Sequence, residues 1–251
     1  MTWVLLRGLT RESRHWGDFA QQLASTTGQA VLTLDLPGNG TLCADASPAS
    51  VNGLLDALRL QINDRGIELP VTVLAMSLGG MVATHWAQRY PSEVARLVLI
   101  NTSMRPFSGL AERLRPGSWL KIARLAVYWG HADHAEVIEN AIYQLTCKQT
   151  AYRASDLAEW SQIRRSAPVS ASNALRQLWA AARFTCNPAP PACPVLVLSS
   201  KRDDLVNPVC STHLAKAWQL PHHKHPWAGH DLPHDDIPWI CERVLAWLAL
   251  E

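Results

Sequence analysis

The sequence predicts an α/β protein: a mostly parallel β-sheet of about six strands with helices on both faces. Short apolar runs recur along the chain, and segments with helical spacing of apolar residues separate them. Strands buried on both faces show such continuous apolar runs, and a helix between successive strands is typical of parallel connections. Between residues 103 and 190 this rhythm breaks, because only helical spacing is found there.

The first hundred residues contain repeated strand–helix units. Strands are predicted over residues 3–7, 31–36, 71–75 and 96–101. Helical spacing follows near 16–24, over 49–65, and through residue 89. The last of these helices is expected to stop at Pro91, since proline lacks an N–H and its ring clashes with the preceding turn.

The remaining chain predicts a helical insertion and a return to the sheet. Helical stretches are expected near 108–115, 118–130, 133–147 and 154–183, and the rhythm resumes with strands at 195–199 and 222–227 and helices at 208–218 and 236–249. An all-helical insertion is expected to cap the carboxyl edge of the sheet, where open α/β sheets bind ligands. We therefore expect a core formed by 1–102 and 191–251, and a helical cap formed by 103–190.

Net charge, cysteine spacing and the first residues indicate which partners and which cellular compartment to expect. Lysine and arginine number 23 and aspartate and glutamate 21, so the net charge is 23 − 21 = +2, without runs of like charge. Neither nucleic acid nor a membrane surface is therefore expected as a partner. The six cysteines form no CxxC pair, and the short apolar start meets Arg7 at once. We expect a soluble, cytoplasmic protein with reduced thiols and no export signal.

Ser77 stands at the junction between the strand 71–75 and the helix that follows. Small residues flank it, namely Ala75, Gly79 and Gly80. A strand that turns into a helix within two or three residues strains the backbone, and small neighbours let other segments approach closely. This pattern is typical of a nucleophile elbow.

A serine nucleophile needs a base within hydrogen-bond reach and a carboxylate to orient that base. Asp203 and Asp204 follow the strand 195–199, and His230 follows the last strand. All three positions lie at the carboxyl edge of the predicted sheet. Asp203 is the preferred carboxylate, and Asp204 remains an alternative.

Five motifs in the expected order, including the Ser77 elbow, make the chain resemble the α/β-hydrolase superfamily, in its capped esterase-like branch. The motifs that carry this resemblance are Ala75-Met-Ser-Leu-Gly-Gly80, Asp35-Leu-Pro-Gly-Asn-Gly40, Tyr90-Pro91 followed by Arg96-Leu-Val-Leu-Ile100, Asp203-Asp-Leu-Val206 and Gly229-His230. The chain order Ser, Asp, His is the order of that superfamily. Two features depart from it: Arg7-Gly8 replaces the usual His-Gly, and the antiparallel strands that normally precede this point are expected to be missing.

The resemblance implies a catalytic triad. Ser77 would be the nucleophile, His230 the general base and then acid, and Asp203 the residue that orients the imidazole. The backbone N–H groups of Leu9 and Leu78 would form the oxyanion hole. The resemblance implies a serine hydrolase that acts on a small ester or thioester and needs no cofactor and no metal.

Other residues allow plainer interpretations. Four tryptophans of the insertion could line the substrate pocket or simply pack within the cap, namely Trp119, Trp129, Trp160 and Trp179. No HxxxH or HExxH pair of the C-terminal histidines lies on a clear helix, because Pro226 and Pro233 interrupt the run, so a metal is not expected there. His85 is expected to be an ordinary helix residue.

Two rival functions stay open. A non-hydrolytic enzyme could use the same triad, such as a C–C lyase, a perhydrolase or haloperoxidase, or a small-ring synthase. A receptor could also retain the fold to bind a ligand without turnover.

Overall fold

A computed structural model describes residues 1–129 and 132–250, and its centre is one six-stranded sheet. Every neighbouring pair of strands runs parallel. The strands are β1 Trp3–Leu6, β2 Val31–Leu34, β3 Val71–Met76, β4 Val94–Ile100, β5 Val195–Ser200 and β6 His222–His225, in the order β2-β1-β3-β4-β5-β6 across the sheet. The prediction of a parallel sheet of about six strands is confirmed.

Helices connect the strands and fill the segment between β4 and β5. They are α1 Phe19–Thr27, α2 Val51–Asp64, α3 Leu78–Arg89, α4 Leu110–Arg113, α5 Pro116–Tyr128, α6 Ala135–Thr146, α7 Arg153–Ser166, α8 Ala171–Arg183, α9 Val209–Trp218, α10 Leu232–Asp235 and α11 Ile237–Leu248. Across the described ranges, no helix combines the length and the apolar character that crossing a membrane requires.

The helices between β4 and β5 follow the predicted stretches with one correction. The predicted helical stretch 154–183 forms two helices, α7 and α8. Pro168 lies in the break, where the residue before a proline is pushed away from helical geometry. The end of the predicted helix 118–130 falls on residue 130, which lies outside the described residues.

Helices cover both faces of the sheet. Successive residues of a strand point to opposite sides, so neighbouring residues of one strand meet different helices. On β3, Val73 belongs to an apolar cluster with residues of α2, α3 and α9, whereas Leu74 belongs to one with residues of α1 and α11. Both side chains are fully buried. Each such side chain contributes roughly 1.5–3 kcal/mol to folding, so these two apolar layers hold the strand ends in fixed positions.

The inserted helices contact the loops at the carboxyl edge of the sheet. The carbonyl of Thr146, the last residue of α6, accepts the N–H of Asp231 at 2.8 Å in the loop after β6. The Gln177 side chain of α8 accepts the N–H of Thr10 at 2.9 Å in the loop after β1. The division into a core and a cap at residues 103 and 190 stays a prediction.

Candidate active site

Ser77 occupies a strained turn between β3 and α3. Its φ of 52° and ψ of −120° lie where residues with a side chain rarely occur, at a cost of about 1–3 kcal/mol. Its N–H donates to the carbonyl of Ile100 at 3.0 Å, and its own carbonyl accepts the Thr102 hydroxyl at 2.8 Å. These bonds from the end of β4 hold a half-buried serine in the turn that the sequence predicts.

Two glycines let the loop after β1 lie against this turn. A Cβ atom on Gly79 would stand 2.5 Å from the carbonyl oxygen of Arg7. A Cβ atom on Gly8 would stand 2.9 Å from Cβ of Ser77 and 3.4 Å from its Oγ. Because any side chain at either position would force the two segments apart, both glycines are needed for this close approach.

The two predicted oxyanion donors lie on the segments that meet at Ser77. Leu78 begins α3, and the first N–H groups of a helix have no acceptor within that helix. Leu9 follows Gly8, and the next residue, Thr10, is tied to the buried Gln177 side chain at 2.9 Å. Their role as oxyanion donors stays a prediction.

His230 and Asp203 are brought together by the loops after β6 and β5. Nδ1 of His230 lies 2.7 Å from Oδ2 of Asp203. The other carboxylate oxygen accepts the N–H groups of Leu205 and Val206, each at 2.8 Å. Both side chains are at most 5% exposed. The carboxylate is therefore fixed by its own loop while it orients the imidazole.

The neighbouring Asp204 makes a different contact. Its side chain is 45% exposed and pairs with the ammonium group of Lys148. Of the two acidic residues that the sequence left open, it is Asp203 that contacts His230.

Asn101 connects the turn of Ser77 to the loop of His230, and sequence reasoning missed it. Its amide donates to the carbonyls of His230 at 2.8 Å and Gly229 at 3.2 Å, and its oxygen accepts the N–H of Ser200 at 2.9 Å. The Ser77 N–H bonds to Ile100, the residue directly before Asn101. Two consecutive residues at the end of β4 therefore hold the Ser77 turn and the His230 loop. The available signal was a polar residue directly after an apolar strand.

Arg7 and Asp231 form a buried ion pair beside this site. Nη1 lies 3.0 Å from Oδ1 and Nη2 lies 2.5 Å from Oδ2, and both residues are at most 3% exposed. Burial alone would raise the pKa of Asp231, but the Arg7 guanidinium holds that pKa below its usual value. The sequence marked Arg7 only as a departure from the usual histidine, and it did not single out Asp231.

A second buried ion cluster joins the loop after β1 to the inserted helices. Glu139 of α6 accepts Arg11 at 2.5 Å and Arg164 of α7 at 2.6 Å. Burial, then the guanidinium groups of Arg11 and Arg7, hold the pKa of His15 well below its usual value. The cavity here has a volume of about 10 Å³. It is lined by Thr10, Glu12, His15, Glu139, Ile163, Arg164, Ala167 and Val169. It has room for about one water, not a substrate.

The four predicted pocket tryptophans lie in different surroundings. Trp119 and Trp179 are 47% and 54% exposed, and Trp119 lines a shallow apolar groove on α5. Trp160 is buried in the cluster of α6 and α7, and Trp129 donates its N–H to the carbonyl of Val169. Packing explains Trp160, and a role of these residues in substrate binding stays a prediction.

One cluster has donors that a metal could use. The ligand atoms of Cys147, His234 and Asp235 lie within 4.8 Å of one another. Yet the Asp235 oxygens already accept backbone N–H groups of Lys148, Gln149 and Gly229, and burial raises the pKa of the Cys147 thiol well above its usual value. This donor set therefore fits a structural tie between α6 and the loop after β6 better than a metal site.

Comparison with known proteins defines the family. The family model described as serine aminopeptidase S33, Hydrolase_4, matches residues 2–235. The chain belongs to this α/β-hydrolase family. The resemblance of the sequence motifs to α/β-hydrolases is thereby confirmed.

Curated relatives of this hydrolase match a shorter segment. A pimeloyl-[acyl-carrier protein] methyl ester esterase of Chromobacterium violaceum is 38% identical over 102 residues, which cover 41% of this chain and 37% of that protein. The lipase LipV of Mycobacterium tuberculosis is 31% identical over 101 residues, covering 40% and 37%. The matches thus span little more than a third of the length of these relatives.

Solved structures resemble the whole chain in fold. A thermophilic esterase from Thermogutta terrifontis superposes with a TM-score of 0.77 at 22% identity, over 99% of this chain and 89% of that one. The enol-lactonase of Burkholderia xenovorans LB400 also gives 0.77, at 18% identity, over 99% and 91%. At these identities the likeness shows the α/β-hydrolase fold.

Proposed function

We propose that this member of the esterase-containing α/β-hydrolase family is a serine hydrolase that cleaves a small carboxylic ester or thioester through an acyl-enzyme. The observation that carries the proposal is the 2.7 Å contact between His230 and Asp203 at the sheet edge that also bears the strained Ser77 turn. An imidazole that is oriented by a carboxylate can act as a general base and remove the proton of a serine hydroxyl beside it.

In the proposed acylation step, the Oγ atom of Ser77 attacks the ester carbonyl carbon while Nε2 of His230 accepts its proton. The N–H groups of Leu9 and Leu78 donate to the oxygen that becomes negative. The carbon–oxygen bond to the alcohol then breaks, and His230 returns the proton to that alcohol. The acyl group is left on Ser77.

Deacylation repeats these events with water. His230 takes a proton from the water, whose oxygen attacks the acyl carbon, and the bond to Ser77 breaks as Oγ takes the proton back. The Asp203 carboxylate stabilises the imidazolium formed in both steps. No residue outside this set has to move a proton, and no cofactor takes part.

The inserted helices are proposed to act as the cap that selects the acyl group, because α6 and α8 contact the loops beside Ser77 and His230. A relative is named for a methyl ester on an acyl-carrier protein, so such esters belong in the test.

The experiment is a panel of p-nitrophenyl and methyl esters of graded acyl length, with acyl-carrier and CoA thioesters. We expect saturable hydrolysis of at least one ester series. Labelling by a serine-directed probe without turnover of any ester or thioester would instead support a non-hydrolytic enzyme on the same triad. A ligand-induced thermal shift with neither labelling nor turnover would support a receptor.

A further inference from the structure

The ion pair of Arg7 and Asp231 spans 224 positions of sequence and closes with two parallel contacts of 3.0 and 2.5 Å. Two parallel contacts define the relative orientation of the two side chains as well as their distance. Both are almost fully buried, at 2% and 3% exposure. The pair of Arg7 and Asp231 is therefore a joint, which fixes the relative position of two segments that are far apart in sequence.

The proposed reaction requires these two segments to keep a fixed relative position. Arg7 directly follows β1 and precedes Gly8 and Leu9, whereas Asp231 directly follows His230. The joint thus links the loop with the proposed oxyanion donor to the loop with the proposed base.

The surroundings of Asp231 explain why this buried carboxylate needs Arg7 as its partner. Arg7 and Arg11 face it from the segment after β1, His234 and Asp235 from α10, and the Cys147 thiol from the end of α6. Among the cations of this set, Arg7 makes the direct contacts. The guanidinium also lies 4.8 Å from the ring centre of Trp16, which closes its other side. Without Arg7, a buried carboxylate would stand unpaired next to His230.

We propose that Arg7 and Asp231 are a positioning pair of the active site: they hold the His230 loop against the oxyanion loop and neutralise the carboxylate beside His230. The pair does not touch the reacting atoms. This inference rests on the proposed esterase function and adds residues that the triad does not include.

The test compares Arg7→Met, Arg7→Lys, Asp231→Asn and the double variant Arg7→Met/Asp231→Asn with the wild type. For a good ester substrate, Arg7→Met should lower kcat by roughly 10- to 100-fold with KM within about threefold, because misplacement of a catalytic group by 1 Å has such effects. Arg7→Lys should recover only part of the loss, since an ammonium cannot form both parallel contacts.

The split between kcat and KM separates positioning from simple stability. Asp231→Asn leaves the Arg7 cation without its partner, so kcat should fall as it does in Arg7→Met while KM stays within about threefold. In the double variant neither charge is left unpaired, so the loss in kcat should be smaller than the product of the two single losses. The matched control is Arg59→Met, which breaks a bidentate pair with Glu93 far from the site. It should leave kcat and KM unchanged.

The proposal is overturned if folded Arg7→Met or Asp231→Asn keeps wild-type kcat. If Arg7→Met does not fold, two milder variants decide the question. Asp231→Asn preserves the shape of the Asp231 side chain, and Arg7→Lys preserves the charge of Arg7. Thermal unfolding of the wild type, Arg7→Met, Asp231→Asn and the double variant gives a second readout. Non-additive shifts in Tm support the joint even if the wild type hydrolyses no ester, which would count against the proposed function alone.

Discussion

Nδ1 of His230 lies 2.7 Å from Oδ2 of Asp203, although the two residues follow different strands. The second oxygen of this carboxylate is held by two backbone N–H groups of its own loop. The carboxylate therefore presents one oxygen in a fixed direction, and the ring of His230 is oriented with Nδ1 toward it. This arrangement makes Nε2 the atom available for a proton from serine.

Replacing Asp203 should cost far more activity than replacing Asp204. In Asp203→Asn an amide can donate toward Nδ1 and favour the wrong tautomer of His230, so kcat should fall by about 10²- to 10⁴-fold. Asp204→Asn removes a partly exposed ion pair with Lys148 and should stay within about twofold of the wild type. Ester kinetics on both purified variants make the comparison. Equal losses would contradict the assignment of Asp203.

Gln177 should support both stability and rate. Its side chain is fully buried, accepts the Thr10 N–H at 2.9 Å and donates to Asn39 at 3.0 Å. Gln177→Leu leaves these groups without a partner, at about 1–3 kcal/mol for each buried group. We expect a clear drop in Tm and a lower kcat, because Thr10 adjoins Leu9. Arg176→Leu, at an exposed position of the same helix, is the control. An unchanged kcat in folded Gln177→Leu would show that this contact does not position the loop.

His222 should make the protein less stable in mild acid. Burial, then the nearby Lys224 and His223, lower the pKa of His222 to about 4, and its ring lies 2.7 Å from the Ser199 hydroxyl. The unfolded chain takes up a proton near pH 6.5 that the folded protein accepts only near pH 4, so stability falls as pH falls through this window.

Urea unfolding at pH 7.5 and pH 4.5 measures this effect. His222→Gln retains a hydrogen-bonding side chain that does not titrate, so its unfolding midpoint should fall less between these pH values than that of the wild type. A fall equal to that of the wild type would contradict the assigned role of His222.

The sheet and the placement of the candidate residues could be predicted because both depend on local pattern. Continuous apolar runs locate parallel strands, and residues just after those strands must meet at one edge. That argument placed Ser77, Asp203 and His230 at that edge from spacing alone. The contact between Asp203 and His230 agrees with it.

The joint of Arg7 with Asp231 could not be predicted, because no local pattern relates residues 224 positions apart. Arg7 showed only that the usual histidine was missing, and the structure shows which partner its charge contacts. The surroundings of the tryptophans depend on how the inserted helices pack, which periodicity alone does not determine. The break at Pro168 was a local signal that helical periodicity across residues 154–183 obscured.

Labelling of Ser77 by a fluorophosphonate probe tests the central claim most directly. The wild type and Ser25→Ala, an exposed serine of α1, should both be labelled, with the modified peptide containing Ser77, and both should hydrolyse p-nitrophenyl acetate. Ser77→Ala should be neither labelled nor active while it retains the wild-type circular dichroism spectrum. Labelling of Ser77→Ala at the wild-type rate, or ester turnover that survives the substitution, would contradict the proposed nucleophile.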